Sequence, residues 1–326
     1  MSADMAFAIE VRGLAKRFGE VAAVRQVDFA VRPGELFGFL GPNGAGKTTT
    51  INMLTGLARP DAGSIFIGGI DCVKQPRAAQ HLIGVVPDES NLYPELSGFE
   101  NLCFCAALYG IGKEERQRRA RELLDAFDLT AAANRKFGTY SKGMKRRLTI
   151  AAGIIHRPQI LFLDEPTTGI DVASARQLRM LIGGLRRDGI TVFMTTHYIE
   201  EAERLCDRIA FIVDGRIVCL DSVENLLQPV QNKHLLQIAC ETFPGLPQEL
   251  AAAFPDLSFS TEGNDRLRVE ADGPIRVGPL VRFLEERQIE VSEARRIRPT
   301  LEDVFVQVTG IGINSMRKEK TGGGRS

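Results

Sequence analysis

Gly41, Gly46, Lys47 and Thr48 stand in the stretch GPNGAGKT, with the spacing G-x-x-x-x-G-K-T. The stretch follows the apolar run ELFGFL and opens a segment that reads as helical over Thr48–Leu57. Glycines in this pattern let successive backbone N–H groups turn inward around a phosphate, and the helix start that follows adds its own unsatisfied donors. Lys47 can bridge the β- and γ-phosphates of a nucleotide, and the Thr48 hydroxyl can ligate Mg²⁺. Asn43, Gly44, Ala45, Gly46, Lys47, Thr48 and Thr49 are therefore the expected phosphate-binding residues, with the motif placed between a strand and a helix as its mechanism requires.

Carboxylates of the kind such a cradle needs stand at the end of QILFLDEP. Four apolar residues precede Asp164 and Glu165, which argues for a buried strand whose polar end meets the site. Alternation along a strand sends adjacent side chains to opposite sides. We assign Asp164 to the metal, directly or through water, and Glu165 to polarising the attacking water as general base. His197, ending the run ITVFMTTH, is placed to contact the γ-phosphate, although a lone histidine is more often structural.

The remaining sequence has to position these groups. A chain of 326 residues suits one large domain and a small one. With 44% hydrophobic and 25% charged residues it has material for real cores. Lys+Arg and Asp+Glu both total 41, and this balance counts against a dedicated nucleic-acid binder. Six cysteines without a C-x-x-C read as reduced thiols. MSADMAFAIEV lacks the look of a signal peptide, and no window approaches ~18 unbroken apolar residues, so any membrane role needs a partner chain.

AFAIEVRGL and VDFAV read as antiparallel strands, SIFIGGID as a hairpin, and residues 95–135 as helical with a Ser97/Glu100 capping box. Beyond about residue 225 the order β-α-β-β-α-β suggests a small ferredoxin-like domain, followed by a frayed tail over 311–326.

In YSKGMKRRL, Tyr140–Leu148, four of nine residues are cationic. Ser141 can cap a helix whose exposed N–H groups suit a phosphate, with Met144, Leu148, Ala151 and Ile155 along one face. Lys145 and Arg146 are expected on the solvated side of that helix.

Taken in order from Phe18 to His197, these motifs resemble the nucleotide-binding subunit of an ATP-binding-cassette (ABC) transporter, over about two-thirds of the chain. The resemblance implies an α/β P-loop NTPase cassette with a RecA-like core, an antiparallel β subdomain and a helical subdomain. It spans 1–224, with the helical part at about 88–158 and a small α+β domain at 225–310. YSKGMKRRL then matches the signature motif, whose Ser141 and Gly143 would face the γ-phosphate of ATP held by an opposing subunit. Phe18 matches the aromatic that stacks on adenine, and Asp171 the aspartate that communicates across the dimer. Asp88 stands where the family has glutamine; it still offers a metal-binding oxygen, but a shorter and charged one. Lys142 and Met144 replace the signature's first glycine and its glutamine.

The ending RPTLEDVFVQVTG resembles ATPase subunits of the ABC-2 exporter group. The implied function is an ATP- and Mg²⁺-dependent ATPase that powers transport, in the export direction, through a separate integral-membrane permease. It would work as a homodimer or heterodimer at the cytoplasmic face of the membrane, with no nucleic acid as partner. DESNLYPELSGFEN resembles the surface that receives the permease. A soluble cassette ATPase acting on ribosomes or DNA is the other reading. Against it stand a single phosphate loop and a separation of only 117 residues from Lys47 to Asp164, without sustained heptads. An importer ATPase is opposed only by the C-terminal resemblance.

Overall fold

The computed structural model describes residues 7–231 and 233–311. The residues on which the leader and tail readings chiefly rest, before 7 and after 311, lie outside the described residues. The chain divides into two compact units, with the boundary between Ser222 and Val223.

In the first unit, β1 (Ile9–Phe18) and β2 (Val21–Val31) form a long antiparallel pair with register shifts. β3 (Leu36–Leu40) is wholly buried and leads through the glycine-rich turn into α1 (Lys47–Leu54). β4 (Ala62–Ile67) and β5 (Ile70–Asp71) make the hairpin about Gly68-Gly69, and α2 (Pro76–Gln80) leads to β6 (Ile83–Val86). Next come α3 (Gly98–Leu108), α4 (Lys113–Ala126) and α5 (Lys142–Ile154). Both halves of the Ser97/Glu100 capping box are formed at α3. The chain then returns through β7 (Ile160–Asp164), α6 (Val172–Arg187), β8 (Thr191–Thr196), α7 (Ile199–Leu205), β9 (Arg208–Val213) and β10 (Arg216–Ser222).

Two sheets result: an antiparallel one in the order β2-β1-β4-β5 and a six-stranded one in the order β10-β9-β3-β8-β7-β6. The latter is parallel except for its β10 edge. Phe29 from β2 packs against Phe37, Phe39 and Phe193 of the parallel sheet, with ring centroids 5.6–5.8 Å apart. Each fully buried phenylalanine contributes roughly 2–3 kcal/mol, so this aromatic seam makes the antiparallel sheet part of the same core. Parallel strands covered on both faces explain the unbroken apolar runs LFGFL and ILFLD.

Strand order decides what the site contains. β3, β8, β7 and β6 lie side by side, and their C-terminal ends carry in turn the glycine-rich turn, His197, Asp164-Glu165 and Asp88. Ligands of open parallel sheets gather at this edge. The helices α3–α5 are inserted between β6 and β7, which are themselves neighbours in the sheet.

The second unit begins with α8 (Val223–Gln231) and continues through β11 (His234–Cys240), α9 (Leu246–Ala253), β12 (Ser258–Thr261), β13 (Arg266–Ala271), α10 (Val277–Glu285), β14 (Val291–Ile297) and α11 (Leu301–Thr309). All pairings in its sheet are antiparallel, in the order β12-β13-β11-β14, the double split-βαβ arrangement of ferredoxin-like folds. Within RPTLEDVFVQVTG, Thr300 and Asp303 cap α11 as a capping box, and Asp303 also accepts from Arg268 on β13 at 2.5 Å.

Candidate functional site

Gly46 has φ +103°, and a Cβ there would lie 2.3 Å from the Ala23 carbonyl, so only glycine fits this turn of the loop. Lys47 folds back into the cradle. Its Nζ donates to the carbonyls of Gly41 (2.7 Å) and Pro42 (3.2 Å) and lies 3.2 Å from Glu165 Oε1. Thr48 and Gly44 are exposed on the open side of the loop.

Glu165 leaves the end of β7 with φ +48°, a left-handed conformation that is uncommon for a residue with a side chain. This backbone turn, rather than strand alternation, separates the two acids. Asp164 turns to β8, where the Thr195 hydroxyl donates to its Oδ1 at 2.5 Å. Glu165 Oε2 accepts from Thr168 Oγ1 at 2.9 Å and meets His197 Nδ1. Burial works to raise the Glu165 carboxyl, but the His197 hydrogen bond and the Lys47 charge outweigh it and hold the group down to about 2. When Nδ1 donates to that carboxylate, His197 keeps Nε2 for another partner.

Asp88 is exposed at the end of β6. Partial desolvation, followed by the like charges of Glu165 and Asp164, raises its carboxyl above the ordinary range. The Thr48 hydroxyl and the carboxylates of Asp164 and Asp88, which follow or end strands of the same sheet, offer the hard oxygen donors that suit Mg²⁺. Among the described residues, no three acidic, histidine or cysteine side chains would hold a metal by themselves.

Other expected residues lie elsewhere on the same unit. Phe18 is 55% exposed, with Lys16 Nζ 5.4 Å from its ring centroid. Ser141 caps α5 through Met144 N (3.2 Å) and is exposed. A Cβ at Gly143 would lie 2.5 Å from Ser174 Oγ, so glycine lets the first turn of α5 abut α6. Asp171 caps α6 through Ser174 N at 2.9 Å.

One expectation is corrected. Arg146 is not on the solvated side of α5 but is 4% exposed, on the inward stripe with Gly143, Ile150 and Ile154. It stays buried because its guanidinium donates to the carbonyls of Pro166 (2.8 Å), Asp164 (2.5 Å), Asp88 (2.9 Å) and Pro87. Lys145 is half-buried, with Nζ 5.7 Å from the Phe137 ring centroid.

Thr195 and Glu201 were not among the expected residues either. Glu201 is 4% exposed and accepts from Thr167 and Thr196 at 2.8 and 3.2 Å, and burial raises its carboxyl. Their signal in the sequence was polar residues closing an apolar strand, TTHYIEE.

A family model described as ABC transporter matches residues 24–168. The doxorubicin resistance ATP-binding protein DrrA of Mycobacterium tuberculosis is 36% identical over 98% of both chains. The linearmycin resistance ATP-binding protein LnrL of Bacillus subtilis is 35% identical over 93% of this chain and 98% of that one. The Nod factor export ATP-binding protein I of Burkholderia orbicola is 36% identical over 93% and 97%. Among solved structures, an ATP-binding subunit of an ABC transporter superposes with TM-score 0.62 at 29% identity, over 68% of this chain and 92% of that one. A dimeric post-hydrolysis ATP-binding cassette bound to ADP and Pi gives 0.60 at 28%, over 66% and 98%. With its phosphate loop, paired acids and signature helix arranged on this fold, the chain belongs to the ABC transporter family as an ATP-binding, ATP-hydrolysing subunit.

Proposed function

We propose that this chain is the ATPase engine of an exporter, working as a dimer of cassettes on a separate membrane-spanning permease. The observation that carries the reading is the row of adjacent strand ends bearing the phosphate loop, His197, Asp164-Glu165 and Asp88. Lys47 exchanges its carbonyl and Glu165 contacts for the β- and γ-phosphates of ATP. Loss of the neighbouring positive charge, and arrival of phosphate, raises the Glu165 carboxyl toward the range of a general base for water. His197 stays against Glu165 and offers Nε2 to the γ-phosphate. Mg²⁺, when bound with the nucleotide by Thr48 and Asp164 and neighboured by Asp88, supplies charge neutralisation at the phosphates. Phe18 gives the adenine a stacking face.

Ser141 and the first turn of α5 are exposed, which supports their serving ATP on an opposing cassette, while Asp171 lies one helix away. This chain carries Glu165 and Ser141 together, so two copies could form two complete sites. Export is supported by the relatives named for drug resistance and Nod factor export, which align over more than nine-tenths of this chain. Among the described residues no helix is long and apolar enough to cross a membrane, so the reading places the chain at the cytoplasmic face through its permease.

The test is recovery of partners with tagged Glu165→Gln protein, in ATP and Mg²⁺, from detergent-solubilised membranes of the native host. A polytopic membrane protein is the expected partner. Ribosomes or DNA without a membrane protein would leave the ATPase and overturn the transport role.

A further inference from the structure

Arg146 places all its contacts on backbone. Nε and Nη2 donate to the carbonyls of Pro166 and Asp164, and Nη1 donates to those of Pro87 and Asp88. The first two acceptors flank Glu165 in the chain, one residue before it and one after. The other two belong to the segment that presents Asp88. Burial works against its charge and outweighs the carboxylates of Asp88, Asp164, Glu165 and Glu201 that favour it, yet the guanidinium's fork is spent on peptide carbonyls. A side chain bonded in this way sets where a backbone lies rather than neutralising an acid.

Glu165 has a reason to need such a grip. Its left-handed backbone (φ +48°) costs energy and persists only where its surroundings over-determine it. Glu165 N accepts part of that burden by donating to Thr195 on β8, at 3.1 Å to both the carbonyl and the hydroxyl. Arg146 holds the two carbonyls on either side. The planar guanidinium suits this geometry, because its donors leave in fixed, diverging directions, whereas a lysine ammonium is a point on a flexible stem. Arg146 also stands on α5, five residues after Ser141.

We propose that Arg146 is a positioning residue that clamps the backbone around Glu165, aims its carboxylate, and ties that turn and the Asp88 segment to the first turn of α5. The proposal rests on the reading of Glu165 as general base. A shift of either gripped segment on nucleotide binding is then transmitted to Ser141 within the same chain.

The full chain is compared with Arg146→Gln, Arg146→Lys, Glu165→Gln and the Arg146→Gln/Glu165→Gln double variant. Thermal unfolding reports the fold, equilibrium binding reports ATP affinity, and steady-state hydrolysis reports kcat and KM. Misplacing a reacting group by about an ångström costs on the order of a hundredfold. Arg146→Gln is expected to lose kcat by about 30-fold or more, with ATP affinity within about threefold; Arg146→Lys, which keeps some carbonyl bonds, should lose about 3- to 10-fold. The double variant should be no slower than Glu165→Gln alone, since both act on one group. A folded Arg146→Gln with unchanged kcat, an equal loss of ATP affinity, or a double variant well below Glu165→Gln would overturn the proposal. An active Glu165→Gln sinks the general-base reading instead, and with it any action of Arg146 through that base.

A measurement on the unaltered chain covers variants that do not fold. Amide exchange in residues 142–147 is followed in monomeric protein on adding Mg²⁺ and a non-hydrolysable ATP analogue. Altered exchange in this turn is expected, and no change would overturn the link to α5.

Discussion

Lys47 Nζ lies 3.2 Å from Glu165 Oε1, with the two side chains only 5% and 11% exposed. The phosphate-loop cation and the acid of the β7 end thus satisfy one another. In the function proposed above, ATP displaces this pair as it binds.

The contacts that hold Glu165 ionised, the His197 hydrogen bond first and the Lys47 charge after it, have a signature in acid. A carboxyl whose folded pKa lies below its unfolded one stabilises the fold above the unfolded value and loses that contribution as pH falls through the folded one. For Glu165 the window runs from the usual 4.5 down to about 2. The contribution is on the order of 3 kcal/mol at most. Urea midpoints of nucleotide-free protein should therefore fall more steeply across this window than those of Glu165→Gln. Parallel curves would show that the His197 and Lys47 contacts do not hold Glu165 down.

Glu165→Gln should still bind ATP, lose turnover by about a hundredfold or more, and accumulate as an ATP-bound dimer. Size-exclusion chromatography with ATP and Mg²⁺, beside phosphate release, checks both parts. Undiminished release would remove Glu165 from the role of base.

Ser141→Ala removes the cap of α5 and a hydroxyl on the exposed helix start. Loss of a cap costs about 1 kcal/mol, so the variant should fold. Hydrolysis is expected to fall while ATP affinity of the monomer stays within about twofold, as measured by nucleotide titration at low protein concentration. A sharp fall in monomer affinity would place Ser141 in the site of its own chain.

Thr195→Val keeps the shape of the β8 end but deletes the hydroxyl that donates to Asp164. Freed from that bond, the carboxylate loses its orientation. We expect a kcat lower by about tenfold, the usual scale for outer-shell support of a metal-binding acid, and a higher Mg²⁺ requirement. Titrating Mg²⁺ at saturating ATP separates the two effects.

GPNGAGKT and LFLDEP were legible because each packs its groups into one strand and the turn after it, although the left-handed turn at Glu165 that separates the two acids left no mark on their spacing. In the second unit the alternation from β11 to β14 follows the β-α-β-β-α-β order, whereas the flanking helices α8 and α11 were not read from the sequence. The partners of GPNGAGKT and LFLDEP were not legible. Lys47 meets Glu165 only because β8 separates β3 from β7 by a single strand. Arg146 was misplaced because its acceptors are peptide carbonyls, which leave no mark on residue type. A hint did exist in the spacing: Gly143, Arg146, Ile150 and Ile154 fall on one helical stripe, and three of them are apolar or small. Thr195 and Glu201 likewise draw their meaning from neighbours supplied by strand order.

The segment carrying α3–α5 leaves the sheet at β6 and rejoins it at β7, two strands already hydrogen-bonded to each other. Because β6 and β7 run parallel, its exit at Val86 and its re-entry at Ile160 lie at opposite ends of neighbouring strands, so the excursion must span the strand length, while what lies between can be longer, shorter or reshaped. The outward surface of this excursion can thus be remodelled while the strand ends that carry the phosphate loop and the paired acids stay as they are. Its constraint is local: whatever shape the excursion takes, it must bring a guanidinium, or an equivalent, back to the four carbonyls at Pro87, Asp88, Asp164 and Pro166.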